Sequence, residues 1–197
     1  MNQLLLLAVL LTPVAQGDPL LQDLESRDFY KIRAAALALQ RLGRANEAIR
    51  PIGREMSKGK LGDFNLRNSW APVFLFERND KVADNYIVEC WIRFGFWEGP
   101  AEQMLFRDEK RFLHLLVRML DVKVKTKTET LSMISHITLR DKKYEWVIRR
   151  YANDKDPELR KAVKVELVDL HKNRPSYLEQ LKRNPPVLEK IEDITMF

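Results

Sequence analysis

Asp28-Phe-Tyr-Lys-Ile-Arg33-Ala-Ala-Ala-Leu-Ala-Leu-Gln-Arg-Leu-Gly43 is the stretch that decides the fold. Its apolar residues recur three and four positions apart, which is the spacing of one face of an α-helix. Gly43 follows the last of them and is a natural helix stop. The stretch therefore predicts an amphipathic helix. Its apolar face comprises Ile32, Ala35, Ala36, Leu39 and Leu42.

Helical periodicity of this kind recurs along most of the chain, which predicts an all-α fold. The 197 residues contain only 7 glycines, and alternating runs of β-branched residues are few. Both observations favour helices over strands. Residues 121–127 alternate as a short strand would, but in an all-helical chain we expect them to link two helices. Further helices are predicted at residues 46–56, 66–76, 81–97, 101–106, 108–120, 128–137, 142–152 and 156–170.

The helix at 81–97 carries the broadest apolar stripe, so we expect it to be the most buried. Beyond residue 170, the prolines predict a short last helix followed by a loosely ordered tail at 184–197. Among the four tryptophans, which include candidate interface anchors, we assign Trp91 to the core.

Two distant helices open with the same pattern. In each, an aspartate begins the helix, an arginine follows about one turn later, and small and then large apolar residues come next. The aspartate can accept hydrogen bonds from the free backbone amides of the first turn. The arginine stem can lie along a groove between repeats while its head reaches a carboxylate or carbonyl. These predicted repeat residues are Asp28, Arg33, Asp156 and Arg160.

The stretch Asn-Asp-Lys-Asp-Pro-Glu-Leu-Arg-Lys-Ala-Val at 153–163 resembles the second helix of HEAT-type repeats, and the likeness is clear over 28–43 and 153–170. Degenerate copies begin near Asp80 and Asp108, at irregular spacings, whereas a regular array repeats about every 40–47 residues. The resemblance implies an irregular HEAT-like α-solenoid or a compact helical-hairpin array, spanning residues 18–183. A non-repetitive helical bundle is the alternative.

The first 17 residues predict a secretory signal peptide. Residues 4–11 are uniformly apolar, and the small-x-small triplet Ala15-Gln16-Gly17 precedes the first charge. We expect cleavage near Gly17, which would leave no stable membrane anchor. The opening Met1-Asn2-Gln3 lacks the usual lysine or arginine. The alternative is a buried N-terminal helix of a cytosolic protein.

Cysteine usage narrows the expected compartment. Cys90 is the only cysteine, so no intrachain disulfide can form, and the chain has no Asn-x-Ser/Thr sequon. Small secreted animal domains usually carry several disulfides. We therefore expect a bacterial protein that is periplasmic or secreted, with Cys90 as a buried, inert thiol.

A net charge of +6 is concentrated at the two ends of the chain. It favours an acidic partner or an anionic surface, although an ordinary solvated helical surface also explains it. The candidate partner-binding residues lie in the C-terminal third. They are Lys123, Lys125, Lys127, Arg140, Lys142, Lys143, Arg149 and Arg150.

The sequence contains no phosphate-binding loop, zinc-protease motif or nucleophile elbow, and its three histidines lack ligand spacing. We therefore expect no metal, no cofactor and no catalytic residue. The leading hypothesis is an exported, non-catalytic module that binds a protein or peptide on a solenoid surface. A second is a nucleic-acid-binding protein that resembles HEAT-like DNA-repair proteins, if residues 1–17 are not a signal. A third is an exported enzyme with an unrecognised helical active site.

Overall fold

A computed structural model describes residues 17–58, 65–95, 98–121, 131, 134–135, 138–139, 141–185 and 187–194. The predicted signal segment, apart from Gly17, lies outside these residues. Over the described residues the fold is all-α, as the sequence predicts. The helices are α1 (Pro19–Leu24), α2 (Phe29–Arg41), α3 (Ile49–Ser57), α4 (Trp70–Glu77), α5 (Lys81–Phe94), α6 (Glu98–Arg107), α7 (Glu109–Asp121), α8 (Glu145–Arg150) and α9 (Pro157–Arg183), with short 3₁₀ turns at Ala45–Ala48 and Lys142–Tyr144.

Aspartates set the starts of several helices. The Asp28 carboxylate accepts from the amide of Tyr30 at 2.8 Å, and Asp156 accepts from Glu158 at 3.0 Å. Asp80 caps α5 in the same way. Each carboxylate satisfies amides that the first turn of a helix leaves free. The capping that the sequence predicts for Asp28 and Asp156 is confirmed.

Helices that are close in sequence pack against one another. Helix α1 lies on α2, α3 on α5, α4 on both α5 and α6, α7 on α5 and α6, and α8 on α9. The most buried helix is α4, in which every residue from 70 to 76 is buried. The expectation that the helix at 81–97 is the most buried is therefore wrong. Helix α4 is apolar all round, and such a helix has neighbours on every side.

Two prolines lie within helices of the structure. Pro100 lies in the first turn of α6, where its missing amide would have had no partner within the helix. Pro175 lies inside α9, which continues to Arg183 as one helix instead of breaking. An internal proline removes one backbone hydrogen bond and bends a helix, but the turns on either side stay bonded.

Residues 187–194 return to the helical body, in contrast to the loose tail that the sequence predicts. Ile191 and Ile194 are buried, and Arg33 Nη2 donates to the Glu192 carbonyl at 2.6 Å. This contact joins residues 159 positions apart. In an open solenoid each repeat contacts only its neighbours. The contact therefore favours the compact array over the open one.

Candidate functional site

The predicted partner-binding residues fall in two groups. Lys123, Lys125, Lys127 and Arg140 lie outside the described residues. The other four lie together, in the Lys142–Tyr144 turn and in α8. We call this surface the basic edge, and it also includes the exposed Trp146. Its members are Lys142, Lys143, Trp146, Arg149 and Arg150.

Local sequence orients the basic edge. Asp141 opens the turn by accepting a hydrogen bond from the Lys143 amide at 2.9 Å. In α8, Val147 and Ile148 are buried. Because these two apolar residues point inward, the helical period turns Trp146, Arg149 and their neighbours toward solvent.

Cations of the basic edge contact carboxylate and aromatic side chains. The Lys143 ammonium pairs with Asp141 and lies 4.5 Å from the centroid of the Tyr144 ring. The hydrogen bond to Asp141 raises the pKa of Lys143 above its ordinary value. The same bond lowers the pKa of Asp141. Arg150 lies over the Tyr151 ring, 5.7 Å from its centroid.

Glu145 is the buried centre of this region, with 7% of its surface exposed. Its Oε1 accepts from Arg149 Nε at 2.8 Å and lies 3.9 Å from His171 Nε2. Its Oε2 lies 4.0 Å from Arg174 Nη2. That nitrogen also donates to the Thr138 carbonyl at 2.8 Å. Glu145 thus links α8 to the middle of α9.

The charges around Glu145 decide its ionisation. Burial raises the pKa of its carboxyl group, but the hydrogen bond and charge of Arg149, with His171 and Lys142, oppose this effect. The net result is a pKa below the ordinary glutamate value. The carboxylate is therefore charged at neutral pH, where it pairs with Arg149.

Exposed apolar side chains accompany the basic edge. Trp146 is 60% exposed and Val168 of α9 is 65% exposed. Val168 precedes His171 by three residues, so the two lie on one face of α9. Periodicity alone did not single out Trp146. The position of Trp146 in α8 indicates that it is exposed, because it lies between the buried Glu145 and the buried Val147 and Ile148.

The predicted repeat arginines make different contacts. Arg160 Nη1 donates to the Asp154 carbonyl at 2.7 Å, within the loop that enters its own helix. Arg33 reaches the C-terminal tail instead. Arg111, in the weaker copy, contacts the Phe76 carbonyl and the Asp84 carboxylate and so joins α7 to α4 and α5. The heads reach carbonyls or carboxylates as predicted, but Arg160 does not bridge two repeats.

Other signals of function were sought over the described part of the chain. It contains no group of three or more histidine, cysteine, aspartate or glutamate side chains placed to hold a metal ion. None of its helices has the length and apolarity needed to cross a membrane. Cys90 is buried, as the sequence predicts. Comparisons of the chain with protein-family models, curated proteins and solved structures find no match.

Proposed function

We propose that the protein is a non-catalytic interaction module that binds an acidic segment of another protein through the basic edge. The observation that carries the proposal is the exposure of Trp146 among four cationic side chains on one short stretch of chain. Tryptophan and arginine are the residues most enriched among those that dominate protein–protein binding energies. We also propose, from the predicted signal peptide, that the partner is met outside the cytoplasm.

The ion pairs support an acidic protein over a nucleic acid as the partner. Residues 141–150 contain four basic and two acidic side chains, a net charge of 4 − 2 = +2. Lys143 and Arg149 are each paired with one of those carboxylates. A surface that follows a phosphate backbone gains affinity from many cations, each neutralising a phosphate. A surface on which carboxylates neutralise cations such as Lys143 and Arg149 beside the exposed Trp146 fits carboxylates interleaved with apolar side chains.

A nucleic-acid-binding protein is the second candidate, because cations beside an exposed aromatic ring also suit single-stranded nucleic acid. The two functions differ in ligand and in salt dependence. Phosphate contacts make nucleic-acid affinity fall steeply as salt rises.

The test uses the full chain and fluorescein-labelled probes in fluorescence anisotropy. The probes are a 12-residue peptide of glutamate, leucine and valine, the same peptide with lysine for glutamate, and a 20-nucleotide single-stranded DNA. We expect binding of the acidic peptide alone. Trp146→Ala should weaken it by about 30-fold, since loss of a dominant interface residue costs about 2 kcal/mol.

Tyr30→Ala is the matched control, because Tyr30 is also an exposed aromatic residue but lies on α2. It should leave affinity unchanged. Binding of DNA with a steep salt dependence would assign the second function instead. Failure of both acidic peptide and DNA to bind would overturn the proposal for the basic edge. Sequencing of the mature N-terminus after cell fractionation tests export separately.

A further inference from the structure

A second surface, distinct from the basic edge, already holds a peptide-like ligand, the chain's own C-terminal segment. We call it the tail site and define it by Arg33 of α2 with Gln103 and Arg107 of α6. All three side chains donate hydrogen bonds to main-chain carbonyls of the tail segment, residues 187–194. Contacts to the main chain do not depend on which side chains the bound segment carries.

The Gln103 amide pairs with the tail as a strand residue would. Its Nε2 donates to the Val187 carbonyl at 3.3 Å. Its Oε1 accepts from the Glu189 amide at 3.2 Å. One residue of a parallel strand makes this pair of bonds to the two residues that flank its neighbour. Strand-like pairing with an extended segment is a common mode of peptide recognition.

Arg107 holds this amide in place and extends the recognition. Its Nη1 donates to Gln103 Oε1 at 2.7 Å, and its Nε donates to Glu77 Oε1 at 2.7 Å. Its Nη2 contacts the Glu189 carbonyl. Because Glu77 and Gln103 fix the guanidinium, the donors that face the tail are pre-organised, which lowers the entropic cost of binding.

Two isoleucines anchor the segment. A turn in which the Asp193 amide donates to the Lys190 carbonyl at 2.9 Å brings Ile191 and Ile194 into the core, where both are buried. The upstream apolar side chains point away, since Val187 is 75% exposed and Leu188 54% exposed. The side-chain requirement is thus two aliphatic residues three positions apart.

The charge of the tail segment indicates which partner segments the tail site prefers. Residues 187–194 contain three acidic side chains and one basic one, a net charge of 1 − 3 = −2, and the four are exposed. Arg33 and Arg107 contact the main chain of this segment at Glu192 and Glu189. The dipeptide Pro185-Pro186 separates the segment from α9 in sequence, so the tail is attached to the body as a tethered ligand and does not extend a helix.

We propose that the tail site is a peptide-binding site that the tail occludes, and that a partner segment of the same chemistry displaces the tail. The partner segment has an extended main chain, an aliphatic-x-x-aliphatic turn and acidic flanks. A short tether gives a bound segment an effective concentration in the millimolar range. A partner therefore binds only when it outcompetes the tail or when the tail is removed or modified.

The test keeps the full chain and cuts the tether. A protease recognition sequence inserted between Pro186 and Val187 allows cleavage of the folded protein, after which the tail can dissociate. The probe is a fluorescein-labelled peptide with the sequence of residues 187–197. We expect the cut protein to bind it at least 100-fold more tightly than the uncut protein does.

Competition between peptides tests which side chains the tail site requires. An unrelated acidic peptide with isoleucines three positions apart should displace the probe, and the same peptide with both isoleucines replaced by serine should not. Gln103→Met, which keeps side-chain volume but loses both strand-like bonds, should weaken probe binding at least 10-fold. Trp146→Ala should leave it unchanged, which separates this site from the basic edge.

Circular dichroism shows whether the cut protein stays folded, which separates a structural tail from a displaceable one. If the cut protein stays folded and never exchanges its tail for the probe, or unfolds when the tail leaves, the tail is a structural element and the proposal fails. If the uncut chain forms dimers in light scattering and Gln103→Met abolishes them, the tail site receives the tail of a second copy, which overturns the assignment to a foreign partner.

Discussion

The ring of Tyr86 on α5 lies directly against Gly53 on α3. A Cβ atom added to Gly53 would fall 2.6 Å from Tyr86 Cε2 and nearer still to two other ring atoms. Glycine within a helix costs about 1 kcal/mol relative to alanine. The close approach of α3 and α5, which only glycine permits here, offsets that cost. The contact between Gly53 and Tyr86 therefore sets how closely α3 and α5 approach each other.

We predict that Gly53→Ala lowers the free energy of unfolding by about 1–3 kcal/mol, the usual range for overpacking a core. In a Tyr86→Ala background the same change should be neutral or stabilising by up to about 1 kcal/mol, because helix propensity then dominates. Urea denaturation of the four proteins in this double-mutant cycle measures the coupling. Additive effects of the two changes would contradict the contact.

Two tryptophans should respond oppositely to truncation. Trp91 is buried and packs edge-to-face on Phe112. Trp91→Ala should cost about 3–5 kcal/mol of stability. Trp146→Ala should change stability by less than about 0.5 kcal/mol, because surface substitutions rarely do more. Thermal and urea denaturation test both, and a large loss for Trp146→Ala would mean that its effect on binding is indirect.

The start of helix α9 is stabilised by Asp156, the residue that precedes its first turn. Asp156→Ala removes the carboxylate that accepts from the amides of Glu158 and Leu159, so it should lower the free energy of unfolding by about 1 kcal/mol. Asp156→Asn keeps an acceptor oxygen and should cost only a few tenths. Equal losses for the two variants would show that the negative charge, rather than the cap, carries the effect.

Acid should weaken the α8–α9 contact through Glu145. Its pKa is lower in the folded chain than its ordinary value of about 4.3 in unfolded chains. The stabilisation is therefore fully present above that ordinary value and is lost as the pH falls through the folded-state pKa. Glu145→Gln should be less stable than the parent at pH 7 by about 1 kcal/mol or less, because Arg149 is largely exposed.

Urea denaturation of both proteins between pH 7 and pH 3 measures this difference. The gap should narrow as the pH falls, and added salt should reduce it at pH 7 through screening. A gap that stays constant across this range would show that the carboxylate contributes nothing through its charge.

Local signals in the sequence were sufficient for most of the described helices, but they did not predict α1 (Pro19–Leu24) or the extension of α9 to Arg183. The capping role of Asp28 follows from a carboxylate placed before apolar residues at helical spacing, and this chemistry acts within one turn. The burial of Trp91 follows in the same way from its helical stripe. The HEAT-like resemblance remains a prediction, since an all-α fold is compatible with several packings of helix pairs.

Contacts between distant residues were beyond prediction from sequence. The link from Glu145 to Arg174 joins residues 29 positions apart, and no local spacing marks it. The docking of the tail was missed for a related reason. Pro185 and Pro186 correctly predict that a helix ends, but the chain beyond the end of a helix can still pack against the core. Ile191 and Ile194, which follow these prolines, were the signal in the sequence that the segment is buried.

The contact between Arg33 and the Glu192 carbonyl also bears on the order of events during folding. It closes a loop of nearly the whole described chain, and the entropic cost of such a closure is met only after the intervening helices have assembled. The tail should therefore dock last. Synthesis proceeds from the N-terminus, so a nascent chain exposes Gln103 and Arg107 without their occupant until residues 187–194 have emerged.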